Sequence, residues 1–434
     1  MSPPRELVEA LTPLWRLRPP GPHKLSSTPT FVRLRETCEK LYPKAGKKTG
    51  LGFALSYGLT ALGMPCGLRP GNEELALSVE AAAANLDAAF RKTHASRVHL
   101  CPLDCADDLP ELTFGPNLIR KLSVTELEEL VDQPRLKRTF SKRSFDAANF
   151  SEFTWLVVRE TVALDERVGA RAIPFFYQYW PADFGAIDPH RRTYPEAVES
   201  ALAFLMLAPW EEWAESADVE WRCFRIPWIY TIDDDLFNRP ANPPSADTLS
   251  WQPDIVYDHY GEEVDLGERP VRWNLEEQVT PELPTWVNDK AWFEFTRAKV
   301  SPLFSSPVLH FLLKAYRSSE IDEFLANITV IDSALGLHTD HGKGPTARLV
   351  ARLSALLDDD AGNDYRRLFN TRSEFVHGRA MEAIPGKDRL HARRLARRAT
   401  VALVQAAPKV ADRGLYLDKL WAAGRKGKGG GAAV

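Results

Sequence analysis

The chain has 434 residues, of which 44% are hydrophobic and 26% charged, and its formal net charge is −4. This composition is ordinary for a globular protein of two or three domains, and the net charge excludes bulk attraction of the whole chain to nucleic acid. Residues 343–424, however, contain 16 Lys/Arg and 9 Asp/Glu, a local charge of +7. This basic stretch indicates a local polyanion site or, alternatively, a set of solvated helix faces.

The cysteine content and the lengths of the apolar runs indicate the cellular compartment of the protein. The cysteines are an odd and sparse set, which predicts reduced thiols in the cytoplasm: Cys38, Cys66, Cys101, Cys105 and Cys223. The longest strongly apolar run, residues 201–210, is too short to span a bilayer. We therefore expect a cytoplasmic protein with no membrane partner, no metal and no cofactor.

Residues 1–98 are predicted to form a mostly helical or irregular segment. Residues 1–50 are rich in Pro, Lys and Arg and favour only short helices. Residues 73–92 carry apolar side chains with the 3.6-residue period of an amphipathic helix.

Residues 99–286 have a mixed pattern that predicts an α+β domain of unknown role. Ser123 and Glu126 form a capping box that begins a helix, and β-prone residues predict strands over 153–158 and 220–232. We expect an unidentified ligand or protein partner to bind in this N-terminal region.

Residues 287–423 are predicted to form an all-α bundle, followed by a disordered tail over 424–434. Apolar stripes with helical spacing alternate there with short Gly- or Pro-containing loops, a pattern typical of a compact antiparallel bundle. The clearest stripe lies between residues 320 and 335 and ends at Gly336. The expected fold class is therefore an α+β N-terminal region followed by an all-α bundle.

One segment of this bundle carries a candidate catalytic pair, Arg372 and His377, at the expected end of a helix. Histidine can donate or accept a proton near neutral pH, and the planar arginine cation matches the oxygens of a phosphate. Side chains five residues apart point about 140° apart on an ideal helix. The pair can therefore meet only if the helix distorts, if the long arginine wraps around it, or if two copies of the chain complete one site.

The sequence around this pair resembles the motif of Apea-like HEPN domains, usually Tyr-x-x-Arg-Ser-x-x-x-His-Gly. Here the segment is Phe369-Asn-Thr-Arg372-Ser373-Glu-Phe-Val-His377-Gly378, with Phe369 in place of the usual tyrosine. Two earlier segments are also similar to helices of that family: Asp332-Ser-Ala-Leu335 and Leu349-Val-Ala-Arg352-Leu-Ser-Ala-Leu-Leu357. The resemblance begins near Trp292 and covers less than a third of the chain.

The resemblance implies a HEPN helical bundle that cleaves RNA without a metal, forms a homodimer and serves as a defence or toxin-like effector. The RNA 2′-hydroxyl would attack the neighbouring phosphate, with His377 transferring protons and Arg372 stabilising the phosphate charge. The products would carry 2′,3′-cyclic phosphate and 5′-hydroxyl ends. Ser373 would bind the phosphate or orient Arg372, and Asp332 would orient either member of the pair or cap its own helix.

The last long helix adds a further candidate surface. Its arginines form rows four residues apart: Arg393, Arg394, Arg397 and Arg398. They predict a track for the RNA backbone or, alternatively, a solvated helix face. The rival functions are a non-catalytic bundle for dimerisation or RNA binding and a bundle that binds a free nucleotide. In those cases Arg372 would bond helix-end carbonyls or Glu374, and His377 would only cap the helix.

Overall fold

The structure is a computed structural model of the chain. It describes all residues except 1, 19–24, 47, 141, 175–182, 184–185, 187–191, 341–343, 379–382 and 428–434. The α-helices in the described ranges are α1 (Arg5–Trp15), α2 (Pro29–Leu41), α3 (Lys48–Ala61), α4 (Val79–Arg91), α5 (Val124–Leu130), α6 (Gln133–Thr139), α7 (Ala147–Phe150), α8 (Val168–Ala172), α9 (Glu196–Leu205), α10 (Trp210–Trp213), α11 (Val279–Trp286), α12 (Asp289–Lys299), α13 (Val308–Arg317), α14 (Glu320–Leu335), α15 (Pro345–Leu356), α16 (Asp359–Val376), α17 (Gly386–Ala406) and α18 (Arg413–Gly427). The strands are β1 (His94–Pro102), β2 (Leu112–Phe114), β3 (Asn117–Lys121), β4 (Thr154–Ala163), β5 (Tyr230–Asp233), β6 (Trp251–Tyr257) and β7 (Glu263–Pro270).

The chain divides into two compact units that alternate along the sequence. Unit 1 comprises residues 1–102, 121–188 and 227–269, and unit 2 comprises residues 103–120, 189–226 and 270–434. The protein is thus a mixed α+β chain whose C-terminal part is helical, as the sequence predicted. Within the described ranges, no helix is both long enough and apolar enough to cross a membrane.

Unit 1 contains a helical core formed by α1 to α4 together with α8. Each of these helices contributes buried apolar side chains to one cluster, among them Leu11, Phe31, Leu55, Leu86 and Val168. Helix α5 begins at the capping box expected from the sequence, because Ser123 and Glu126 each accept from the other's backbone N–H.

The sheet of unit 1 is antiparallel, with β1 paired to β4 on one side and to β5 on the other. The register places His99 opposite Thr231, and Arg97 opposite both Glu160 and Asp233. Because side chains alternate between the two faces of a strand, these polar residues share one face.

One strand predicted from the sequence is shorter in the structure, and another is longer. The strand predicted over 220–232 is wrong in extent, since only Tyr230–Asp233 joins a ladder and Trp221 is instead a buried residue of unit 2. The other β-prone run, 153–158, lies in β4, which continues to Ala163. Unit 1 also contains a largely exposed hairpin of β6 and β7.

Unit 2 begins with a hairpin of β2 and β3 that turns at Gly115. This glycine has φ +58°, and a Cβ there would lie 2.2 Å from Nε1 of Trp292 on α12. Its backbone N–H donates to Asp289 Oδ1 at 2.7 Å. Glycine is therefore required both by the backbone conformation and by the close approach of the indole ring.

The helices of unit 2 pack around α14, which contacts α13, α15, α16 and α17. Arg352 of α15 is fully buried and links this helix to the end of α14 and to α18. It donates to Leu335 O at 2.8 Å, to Leu417 O at 3.1 Å and to the carboxylate of Asp340. Helix α18 packs on α15 at Gly424, where a Cβ would lie 2.0 Å from Ala351 O.

This contact corrects the predicted start of the tail. Residue 424 was expected to begin a disordered segment, but α18 continues to Gly427 because a residue without a side chain fits against α15. The remainder of the predicted tail, residues 428–434, lies outside the described residues.

Candidate functional site

Helix α16 carries Arg372 on the same face as a buried tyrosine. The helix begins where Asp358 Oδ1 accepts the backbone N–H of Ala361 at 2.7 Å. Tyr365 lies two helical turns before Arg372, so both side chains leave the helix on nearly the same side. Phe369 lies between them, and its ring centre is 5.7 Å from the guanidinium carbon of Arg372.

Asp332, in the last turn of α14, joins these two side chains. Its Oδ2 lies 3.3 Å from Nη1 of Arg372, and its Oδ1 accepts a hydrogen bond from the hydroxyl of Tyr365. We call these three residues the Asp332 cluster. The sequence had offered Asp332 as a residue that orients Arg372 or His377 or caps its own helix, and the structure places it against Arg372.

The Asp332 cluster lies at the edge of the bundle core. Tyr365 is completely buried, whereas the side chains of Asp332 and Arg372 are 25% and 32% exposed. Burial raises the pKa of Asp332, although the Tyr365 hydrogen bond and the Arg372 charge oppose the rise. Burial and the nearby carboxylate raise the pKa of Tyr365, which keeps the phenol neutral and able to donate its proton to Asp332.

The contacts of Arg372 leave part of its guanidinium available. Asp332 engages Nη1 alone, and within the described part of the chain Nε and Nη2 have no hydrogen-bond partner. An arginine carries five N–H donors in a planar fork, so one edge of Arg372 can still bind an anion. The carboxylate meanwhile restricts the movement of the side chain.

His377 lies just beyond the last helical residue. Its backbone N–H donates to Ser373 O at 3.1 Å, and the N–H of Gly378 donates to Phe375 O at 3.0 Å. Gly378 has φ +64°, the left-handed conformation that commonly ends a helix and favours glycine. The side chain of His377 is exposed, and its imidazole has no hydrogen-bond partner among the described residues.

Within one chain the structure does not bond the two motif residues to each other. Neither a hydrogen bond nor an ion pair joins Arg372 to His377, both of which are described. Helix α16 is a continuous α-helix through Val376, so no distortion brings the two side chains to one face. Ser373 is half-buried, and its hydroxyl makes no hydrogen bond to the described residues.

Two of the four arginines expected to track RNA are buried. Arg393 donates to Met206 O at 2.6 Å and lies 3.4 Å from Glu211 Oε2. Arg397 donates to Glu211 Oε1 at 2.7 Å and to Glu212 Oε1 at 2.6 Å. Both guanidinium groups therefore neutralise carboxylates of α10 inside unit 2.

The other two arginines remain at the surface. Arg394 lies 3.6 Å from Glu212, and Arg398 donates to Asp358 Oδ2 at 2.7 Å. Because Arg393 and Arg397 are buried and every one of the four has an acidic partner, they do not form the continuous exposed track that the i, i+4 rows predicted. The pattern was misleading because Arg393 and Arg397 are buried against Glu211 of α10, which is distant in sequence.

The sequence patterns did not identify Tyr365 as a site residue. Its position two turns before Arg372 was a usable signal, since that spacing puts two side chains on one helical face. The resemblance indicated Phe369 instead, because it occupies the position of the usual motif tyrosine. In the structure Phe369 contacts Arg372, and Tyr365 supplies the phenol that bonds Asp332.

Neither a metal site among the described residues nor a similarity to known proteins assigns a function to the chain. Among the described residues, no group of three or more His, Cys, Asp and Glu side chains is placed to hold a metal ion. Comparisons with protein-family models, with curated proteins and with solved structures each return no match to this chain.

Proposed function

We propose that the C-terminal bundle is a metal-independent endoribonuclease of HEPN type in which Arg372 and His377 act on one phosphodiester. The observation that carries the proposal is the state of Arg372, which Asp332 holds through Nη1 while its Nε and Nη2 have no hydrogen-bond partner among the described residues. A half-exposed, oriented arginine is suited to bind a phosphate and to stabilise the charge that develops on it.

His377 supplies the proton transfer in this proposal. Its exposed imidazole can take the proton of the RNA 2′-hydroxyl or give one to the departing 5′-oxygen. Attack of the 2′-oxygen on phosphorus and cleavage of the P–O5′ bond leave a 2′,3′-cyclic phosphate and a 5′-hydroxyl. No oxidant and no metal is needed for these steps.

Two copies of the chain complete the site in this proposal. The regular course of α16 separates Arg372 from His377 on the helix surface, so a second copy is the simplest source of the missing partner. A defence or toxin-like role, in which RNA is the target in the cell, belongs to the same proposal.

The decisive experiment measures cleavage of a single-stranded RNA by the full chain in EDTA, followed by analysis of the product ends. Arg372→Ala and His377→Ala are each expected to slow cleavage at least about 100-fold, the usual contribution of such groups. The matched controls, Arg366→Ala and His338→Ala, remove an exposed arginine of the same helix and another exposed histidine and should cleave normally. Products with 3′-hydroxyl ends, or strict dependence on Mg²⁺, would contradict the mechanism.

A mixing experiment tests whether the two residues come from different copies. If they do, an equal mixture of the Arg372→Ala and His377→Ala chains forms mixed dimers with one intact site. Random pairing should then restore about a quarter of the wild-type activity. A mixture as inactive as its components indicates a site within one chain, whereas wild-type chain that binds but never cuts RNA indicates a scaffold.

A further inference from the structure

A hydroxyl, an imidazole and a carboxylate follow one another across the sheet of unit 1. Thr231 Oγ1 lies 2.8 Å from His99 Nδ1, and His99 Nε2 lies 3.1 Å from Glu160 Oε1. Both distances are within the range of a hydrogen bond between a nucleophile, its base and the group that orients the base. The strand register produces the chain of contacts, because β1 lies between β4 and β5.

The carboxylate determines which nitrogen of His99 carries a proton. An ionised Glu160 can only accept, so Nε2 is the N–H and the unprotonated Nδ1 faces the hydroxyl of Thr231. The His99 side chain is 2% exposed. Burial lowers the pKa of His99 while Glu160 opposes the fall, which favours a neutral imidazole able to accept a proton.

Other charged groups on this face pair with one another. Arg97 lies 2.7 Å from Asp233 and 4.0 Å from Glu160, so its charge is balanced by both carboxylates. The three groups are therefore arranged as a hydroxyl nucleophile, a general base and an orienting carboxylate require.

Thr231 also lines a cavity of about 270 Å³ formed by β5, α6 and residues 238–241. Arg135 of α6 lines the same cavity. Its Nη1 and Nη2 donate to the backbone oxygens of Asp233, Asp235 and Asn238, at 2.7–2.8 Å. Its Nε is buried and has no hydrogen-bond partner among the described residues. A buried donor beside a cavity is a group that a ligand oxygen can satisfy.

We propose that this cavity is a second catalytic site, at which Thr231 attacks the carbonyl carbon of a small carboxylic ester. Oγ1 forms a bond to that carbon while His99 Nδ1 takes the hydroxyl proton. The tetrahedral intermediate then expels the alcohol, which leaves with that proton, and an acyl-threonine remains. Water, deprotonated by His99, hydrolyses this ester and releases the acid, so the net reaction is ester plus water to acid plus alcohol.

The cavity limits the class of substrate. Its volume of about 270 Å³ lies just below the range of ordinary ligand pockets, about 300–1,000 Å³, so only a short acyl group fits. Val131, Leu136 and Pro240 give it apolar walls, whereas Arg135 offers an N–H to the carbonyl oxygen. An ester with a good leaving group suits a secondary hydroxyl held by a single base.

The test is hydrolysis of p-nitrophenyl acetate by the full chain, together with mass spectrometry of the acetylated peptide. Thr231→Val should slow release of p-nitrophenolate at least about 100-fold and abolish acetylation of the peptide that contains residue 231. Glu160→Gln should slow release at least about tenfold, whereas Thr231→Ser, which keeps the hydroxyl, should retain activity. The matched control, Thr161→Val, replaces an exposed threonine of β4 and should behave as the wild type.

Two results would overturn the proposal. One is a wild-type chain that releases p-nitrophenolate no faster than Thr231→Val, a comparison that remains valid even if the variant is poorly folded. The other is acetylation confined to lysines in both the wild type and Thr231→Ser.

Discussion

The buried ion pairs between α10 and α17 allow one prediction to be worked in detail. In Glu211→Gln the side chain keeps nearly the same shape but loses its charge. Glu211 is fully buried, and its carboxylate lies 2.7 Å from Arg397 and 3.4 Å from Arg393. The substitution therefore removes one negative charge from between two buried positive ones.

The contacts that remain set the size of the effect. Arg397 keeps Glu212 at 2.6 Å, and Arg393 keeps Met206 O at 2.6 Å and the Trp221 ring at 4.4 Å. Arg393 then loses its paired carboxylate, and breaking a buried ion pair typically costs about 3–5 kcal/mol. Because a glutamine oxygen still accepts a hydrogen bond, we expect a loss near the lower end, about 3 kcal/mol.

Hydrogen exchange of the amides in α17 measures this loss within unit 2. A loss of about 3 kcal/mol corresponds to exchange roughly 100-fold faster, since each 1.4 kcal/mol is a factor of ten. The matched control is Glu212→Gln, whose side chain is 43% exposed and whose loss should stay below about 1 kcal/mol. If Glu211→Gln accelerates exchange in α17 no more than the control does, Glu211 does not stabilise the buried arginines.

Three further predictions concern other residues. Tyr365→Phe removes the hydrogen bond to the Asp332 carboxylate and should lower the unfolding free energy by about 1.5–3 kcal/mol in urea titrations; an unchanged midpoint would contradict it. Gly378→Ala forces a side chain onto φ +64° and should cost about 1–2 kcal/mol, seen as faster amide exchange at the end of α16 and not elsewhere. Burial lowers the folded pKa of His99, so the unfolded chain binds more protons in acid, and stability should fall as the pH drops below about 6.5. His99→Gln should flatten that fall in urea unfolding between about pH 7 and pH 5.

Features that depend on neighbouring residues were predictable from the sequence. The capping box at Ser123, the end of α14 before Gly336 and the end of α16 before Gly378 all appear where short-range patterns placed them. Each depends on backbone conformation or on a hydrogen bond that spans a few residues. Local patterns therefore predicted these helix ends, whereas α18 was not predicted.

Contacts between distant segments were not predictable in the same way. Glu211 and Arg397 are 186 residues apart in sequence, and no periodicity of α17 shows that a carboxylate of α10 will bury its arginines. The sequence 220–232 is rich in aromatic and β-branched residues, yet Trp221 serves as a buried contact for Arg393 and not as part of a strand. In both cases long-range packing decides what the local composition leaves open.

For the candidate site, the sequence supplied the residue types and the structure supplied the partners. The spacing of Arg372 and His377 identified them, whereas the structure identified the phenol of Tyr365 through its contact with Asp332, 33 residues earlier. The cluster His99, Thr231 and Glu160 has no sequence signature, because it depends on the register of three strands.

The alternation of the two units along the sequence has a consequence for synthesis in the cell. Arg397 is made 186 residues after Glu211, which at ordinary translation rates is a delay of about 10–40 s. Until then, the acidic residues of α10 lack the arginines that neutralise them, so unit 2 cannot bury them before α17 has been synthesised. In a fragment that covers residues 287–423 alone, Arg393 and Arg397 would lack the carboxylates of α10. Any activity that depends on these ion pairs would thus be withheld until α17 has been translated.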